Sequence, residues 1–222
     1  MEQLHTQVDD DQYRTAFGTI RAAKNWFWWL ILACLVIQLA GFVLVRFVGV
    51  IDDAPAVVAV AADEDAATRA DTWYRALGWF FPATKFAGMV SGMLLALTLL
   101  LAVKIALLGR AGGVAGFIGA FFWSLLLRVF LIPWQQVTRS AFASGALHNL
   151  DYLIEQTRSV SWNAKDVSWL DQVMYYARFV AFPLFVVLLQ LVVQVKFARG
   201  HRRMSLSVAE AAVAEPPENA KM

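Results

Sequence analysis

Residues 26–45 read WFWWLILACLVIQLAGFVLV, twenty consecutive positions without a charged side chain. As a helix, a run of that length covers about 30 Å, the thickness of a bilayer's hydrocarbon layer. Large apolar residues fall on every face and polar positions do not alternate with them, which argues against a strand. Three more stretches share this character: residues 86–103, 111–127 and 179–195 are all uncharged. The second resumes past Lys104 as far as Leu108, and the third passes Arg128 and stops at Pro133. The expected fold class is therefore all-α, a four-span transmembrane helical bundle. Its spans are placed at about 26–50, 86–108, 111–133 and 178–197, with short interfacial helices in exterior loops 51–85 and 134–177. Residues 1–204 read as a single membrane domain. Residues 205–222, with Pro216-Pro217 and no apolar period, read as a flexible cytoplasmic tail.

The whole chain agrees with its first span. Of 222 residues, 59% are hydrophobic and 16% charged, against roughly 45–50% and about 25% in soluble domains. Disorder is excluded by that apolar content. The single cysteine, Cys34, lies within the first span, which excludes a disulfide framework, a CxxC redox pair and a Cys-rich zinc site. A net charge of +2 provides no basic field for nucleic acid, so none is expected as a partner. The polar lead of residues 1–25 and the length of the run behind it mark the first span as an uncleaved anchor. No lipidation motif is present.

Lys and Arg near the span ends set the orientation. With the N-terminus inside, segments 1–25, 109–113 and 196–222 carry nine cations in 57 residues, against seven in the 80 residues of 51–85 and 134–178. This bias, strongest in Lys196-Phe-Ala-Arg199-Gly-His-Arg202-Arg203, places both termini in the cytoplasm. The Ala- and Val-rich composition points to a bacterial inner membrane.

The segments outside the spans are aromatic and amphipathic. Residues 9–24 place Tyr13, Phe17 and Ile20 at helical spacing behind three aspartates, which reads as a short helix on the membrane surface leading into the Trp26–Trp29 girdle. In the first exterior loop, Trp73, Leu77 and Phe80 follow an acidic start, and Pro82 is expected to end that helix. In the second, Leu147, Leu150, Leu153 and Ile154 form an apolar stripe. Asn163 reads as a helix cap, with the helix running on into span four, and Pro183 should disturb that span.

Charge inside hydrocarbon usually points to function. No Asp, Glu or His falls within any span. Arg46 and Lys104 lie near interfaces and can snorkel. Arg128 is deeper, and is either an anion or partner contact or another snorkelling cation. The absent carboxylates argue against a self-contained proton or cation carrier, and the absent histidines against a bis-His haem. Small residues are the next signal. Gly88 and Gly92 mark the outer end of span two; Gly112, Gly116 and Gly119 mark the inner end of span three. A tight turn makes these spans a hairpin, so the two patches sit at opposite depths, and at least one should pack on another span or chain.

Exterior chemistry is thin. Ser144, His148, Asp151 and Glu155 fall near one helical face, but one helix does not give nucleophile–base–orienter geometry, and a metal site would need a second helix. Met89 and Met93, one turn apart, read as packing rather than copper ligands. There is no P-loop, GxGxxG or HExxH motif, so no cofactor and no metal are expected. Three functions are compatible with this inventory. The first is a non-catalytic assembly or accessory subunit acting through helix–helix contacts, its partners the lipid bilayer and another membrane protein or itself. The second is a small channel or transporter, of anions if Arg128 sets its selectivity, lined by Gln38, Gln190, Gln194, Ser124 and Arg128. The third is a membrane enzyme using the 134–177 loop around His148, Asp151 and Glu155.

Overall fold

The computed structural model describes residues 2–47, 64–108, 112–134, 145–160 and 168–214. The elements are α1 (Glu2–Phe47), α2 (Glu64–Leu108), α3 (Val114–Leu131), α4 (Leu150–Ser159), α5 (Trp169–Tyr176), a π turn at Ala177–Ala181, and α6 (Phe182–Ala214). Among the described residues there is no strand. Segments Thr15–Phe47, Arg75–Leu108, Val114–Leu131 and Trp169–Leu206 are each long and apolar enough to cross a membrane. The chain is an all-α bundle with the make-up of a multi-pass membrane protein. The Asp52-Asp53 start of the first exterior loop, the Gly109–Ala111 part of the turn, Ser144, Asn163 and Pro216-Pro217 lie outside the described residues.

Two helices continue where the sequence pattern places a boundary. α1 begins at Glu2 and carries the amphipathic lead into the span without a break. Phe17 and Ile20 are buried, and the Phe17 ring lies 5.5 Å from that of Phe117 in α3. The lead packs on protein rather than on the membrane surface. Its stripe continues at helical spacing through Lys24, Ile31, Leu35, Gln38, Phe42 and Val45, all buried.

Pro82, expected to end a helix, lies inside α2. Ending a helix at membrane depth strands backbone groups that no water can reach, and local rearrangement is cheaper. The residue four before the proline, where its ring crowds the backbone, is Gly78, with open space where a Cβ would stand. Two residues beyond the proline, the Thr84 hydroxyl bonds the Phe80 and Phe81 carbonyls at 2.8 and 3.0 Å. Pro183 is handled differently. The turn before it widens into the π turn, in which the Phe182 N–H reaches back five residues to the Ala177 carbonyl. The expected disturbance of span four takes this form, and the helix runs on unbroken from Trp169 to Ala214.

The chain divides into two compact units, and each of the four long helices contributes to both. The first comprises Met1–Trp28, Gly92–Leu127 and Leu188–Met222. Lipid is as apolar as leucine, so close packing and hydrogen bonds must hold such helices together. Here the close packing is a backbone contact. A Cβ on Gly116 would stand 2.5 Å from the Gly200 Cα, and one on Gly113 would collide with the Gly200 carbonyl. Gly113, at φ +88°, also holds the left-handed conformation that opens α3. Phe117 then stacks edge-on against Phe197 at 5.2 Å. The small-residue patch of span three is thus consumed by α6, at a glycine hidden within the basic run 196–203.

The second unit comprises Trp29–Ser91 and Arg128–Val187. Its core joins Phe42 and Val45 of α1, Leu77 and Phe81 of α2, Leu150, Leu153 and Ile154 of α4, Tyr175 of α5 and Phe179 of the π turn. The Phe42 ring lies 5.8 Å from Phe179, nearly parallel to it. The Phe130 ring of α3 meets Phe182 and Phe185 of α6 edge-on.

These contacts separate two kinds of glycine. Gly116→Leu should destabilise the protein by about 1–3 kcal/mol or more, because the overpacked atoms are backbone. Gly18→Ala, where a Cβ meets nothing within 4 Å, should stabilise α1 by roughly 0.5–1 kcal/mol. Thermal denaturation midpoints in one mild detergent check both.

Candidate functional site

The exterior segment of the second unit is built outward from the end of α3. Beyond Pro133, Ala146 donates its N–H to the Phe130 carbonyl at 3.0 Å, and Gly145 presses on the backbone of Ile132 at a distance only glycine permits. This delivers His148, 2% exposed, into an aromatic slot. Its ring meets Phe179 at 4.9 Å and Phe81 at 5.7 Å, both edge-on. Nε2 is buried with no hydrogen-bond partner. Burial holds the imidazole at about 4, well below the ordinary histidine range, and a hydrogen bond with the Ala146 backbone only partly opposes that. His148 is therefore neutral at physiological pH, beside phenyl rings that neither accept nor relay a proton.

The next residue, Asn149, accepts from Lys85 Nζ at 3.0 Å and stands at the N-cap of α4 without a side-chain capping bond. α4 buries Leu150, Leu153, Ile154 and Thr157, while Asp151 and Glu155 are exposed. The polar cluster His148, Asp151 and Glu155 is thus not assembled. The helix starts at Leu150, so His148 is not on it and does not share a face with the two acids. Among the described residues no group of three or more His, Cys, Asp or Glu could hold a metal ion. Met89 is half-buried and Met93 exposed.

Polar contacts fasten this segment. Thr157 donates to the Leu153 carbonyl at 2.7 Å, leaving its oxygen to accept from the Tyr175 hydroxyl at 2.8 Å. Arg178 Nη1 donates to the Tyr152 hydroxyl at 2.6 Å and to Gln156 Oε1 at 3.2 Å. Arg46 is half-buried, its guanidinium 5.9 Å from the Tyr175 ring centre. Ser168 caps α5 by accepting from the Leu170 N–H at 3.3 Å. Deeper in the unit, Gln38 is buried and donates to Thr84 Oγ1 at 3.2 Å. Arg128 is exposed, as a snorkelling side chain would be. Gly88 lies against Leu147 and Cys34, where a Cβ would meet Leu147 at 2.8 Å.

The first unit holds a second polar constellation. Lys24 is 3% exposed; its Nζ donates to Gln194 Oε1 and sits 4.6 Å from the Phe197 ring centre. One turn away, Gln190 Nε2 donates to the Trp28 carbonyl at 2.6 Å. Ser124 donates to the carbonyl of Phe121 in its own helix. Gly92 is buried, Gly112 half-buried, and Gly119 faces the Lys196 stem. The five residues offered as a pore lining divide between the units: Gln38 and Arg128 in the second, Ser124, Gln190 and Gln194 in the first.

Several participants had no prominence in the sequence. Lys24 counts in the sequence only as one of the cations of segment 1–25, yet it continues the stripe of Phe17 and Ile20, and that spacing is the signal of its burial. Thr84, Tyr152, Thr157 and Arg178 carry no motif, because their partners are distant in the chain.

His148 gives a pH test. Unfolded, the imidazole takes up its proton near 6.5; folded, only near 4. Between those values the unfolded state binds more protons, so the stabilising contribution is complete above about 6.5 and is lost as the pH falls toward 4. The loss should be on the order of 3 kcal/mol. His148→Phe, which keeps an aromatic ring but cannot titrate, should flatten denaturation midpoints between pH 7 and 4 relative to the unaltered protein. Comparison of the chain with protein-family models, with curated proteins and with solved structures finds no match.

Proposed function

We propose that this protein is a non-catalytic subunit of a membrane assembly, acting through contact with another membrane protein or a second copy of itself. The observation that carries this reading is the construction of residues 145–160 and 168–181. Ordering a long loop costs about 1–2 kcal/mol per residue in backbone entropy, and here that cost is met by a dedicated core and a set of polar ties. What the segment gains is a defined outward surface. α4 turns Asp151, Glu155 and Arg158 outward, and α5 turns out Trp169, Leu170, Val173 and Met174, with Trp169 73% exposed. A charged rim beside an aromatic and aliphatic patch is the usual composition of a protein-recognition surface.

The glycine patches lend no support to an external partner. Gly116 meets Gly200 and Gly88 meets Leu147 within the chain, so the partner surface is assigned to the α4–α5 segment instead. The intramembrane glutamines are engaged with Thr84, Lys24 and the Trp28 carbonyl, which favours the contact reading over a channel. The same proposal places the protein in a bacterial cytoplasmic membrane with both termini inside, on the strength of the cation bias across its spans.

A photo-crosslinking amino acid at Glu155 or at Trp169 should give discrete adducts in native membranes, identifiable by mass spectrometry, whereas the buried Leu153 position should not. With the crosslinker at Trp169, Asp151→Lys together with Glu155→Lys should cut adduct yield severalfold and leave the thermal midpoint unchanged. A chain that yields no adduct at either outward position, and emerges from the membrane as a lone monomer, overturns the reading.

A further inference from the structure

The described side chains that α1 and α6 contribute to the first unit include six cations, Arg21, Lys24, Lys196, Arg199, Arg202 and Arg203, and no carboxylate. Three basic groups lie along one seam: Lys24 bonds Gln194 and the Trp28 carbonyl takes Gln190, so α1 and α6 run antiparallel, and one turn back along α1 stands Arg21 while two turns on along the same face of α6 stands His201. Lys24 is buried against a neutral amide and a phenyl ring, which solvate an ammonium without balancing its charge. An ammonium carries three donors, and Gln194 takes one. His201 adds a buried Nδ1 with no hydrogen-bond partner. Arg21 is exposed, so the group is open on one side.

Among the described side chains these cations meet no counter-ion; like charges gathered in that way are costly, and the cost is lowest where an anion can enter. We propose that Arg21, Lys24 and His201 form a binding site for the phosphate of an anionic phospholipid headgroup. The phosphate accepts from the Arg21 guanidinium, from the spare Lys24 donors and from His201, and the remaining cations of α6 supply the surrounding field. Lipid is favoured over free phosphate by what lies one turn further along α1. Trp26 and Trp29 are 72% and 60% exposed, and exposed tryptophans beside an apolar span sit at headgroup level. Arg21 and Lys24 are thereby held where lipid phosphates are concentrated. This site lies in the other unit from the α4–α5 surface and does not depend on the assembly reading.

The test uses the full chain, purified and stripped of lipid in a neutral detergent. Phosphatidylglycerol should raise the thermal midpoint and bind measurably by native mass spectrometry; phosphatidylcholine and inorganic phosphate at matched concentration should do neither. Arg21→Gln, at an exposed position, should weaken phosphatidylglycerol binding about five-fold and leave the lipid-free midpoint where it was. Lys24→Met, which fills similar space without charge, should abolish the preference for phosphatidylglycerol. Equal stabilisation by phosphatidylcholine, or unchanged phosphatidylglycerol binding in Arg21→Gln, overturns the site. Equal stabilisation by inorganic phosphate overturns the lipid assignment.

Discussion

A chain that crosses hydrocarbon cannot leave a polar group to be satisfied by water, and the internal arrangement of this protein follows from that constraint. Each intramembrane glutamine is tied to another part of the chain, Gln38 Nε2 to Thr84, Gln190 Nε2 to the Trp28 carbonyl and Gln194 Oε1 to Lys24, while the buried Oε1 atoms of Gln38 and Gln190 have no partner. Both prolines that interrupt long helices are accommodated without ending them. Near Pro82 a threonine hydroxyl bonds the local carbonyls; ahead of Pro183 a π turn opens the backbone.

The same constraint explains why small residues matter more than large ones to the packing. Burying leucine against leucine gains little when the alternative is lipid, so helices must be held by close approach and by hydrogen bonds. The contact of Gly113 and Gly116 with Gly200 supplies the approach, and the ties from α1 to α6 supply the bonds. In the second unit the balance shifts toward aromatic packing, with Phe42, Phe81, Phe130, Tyr175 and Phe179 filling the space between elements. Ring–ring contacts add geometry to packing that hydrophobicity alone would leave non-directional.

The four spans were legible because apolar length is a one-dimensional property, read without knowing any neighbour. Helix boundaries were less so. Phe17 and Ile20 have the spacing of an interfacial helix whether they face lipid or Phe117, and only tertiary packing separates the two. Pro82 breaks an isolated helix, yet it is retained inside one where stopping costs more. The glycine patch was legible as a close-contact surface but not its partner, since Gly200 stands among arginines and reads as part of a charge run. His148, Asp151 and Glu155 looked like one face because the helix was started too early. Where a helix begins is decided by what the preceding residues can bury, and His148 is taken by Phe81 and Phe179 before α4 starts.

Two buried basic side chains show how the environment sorts chemistry. His148 can solve its burial alone, because an imidazole sheds its proton at moderate cost and becomes a slightly polar ring among other rings. Lys24 has as its immediate neighbours only a glutamine and a phenylalanine. A fold that wanted an inert helix contact at that position would place methionine or leucine there. Retaining the ammonium, on the buried stripe and with no counter-charge among the described side chains, makes sense if the compensating charge comes from outside the chain. At the depth marked by the tryptophans, the membrane itself offers that charge.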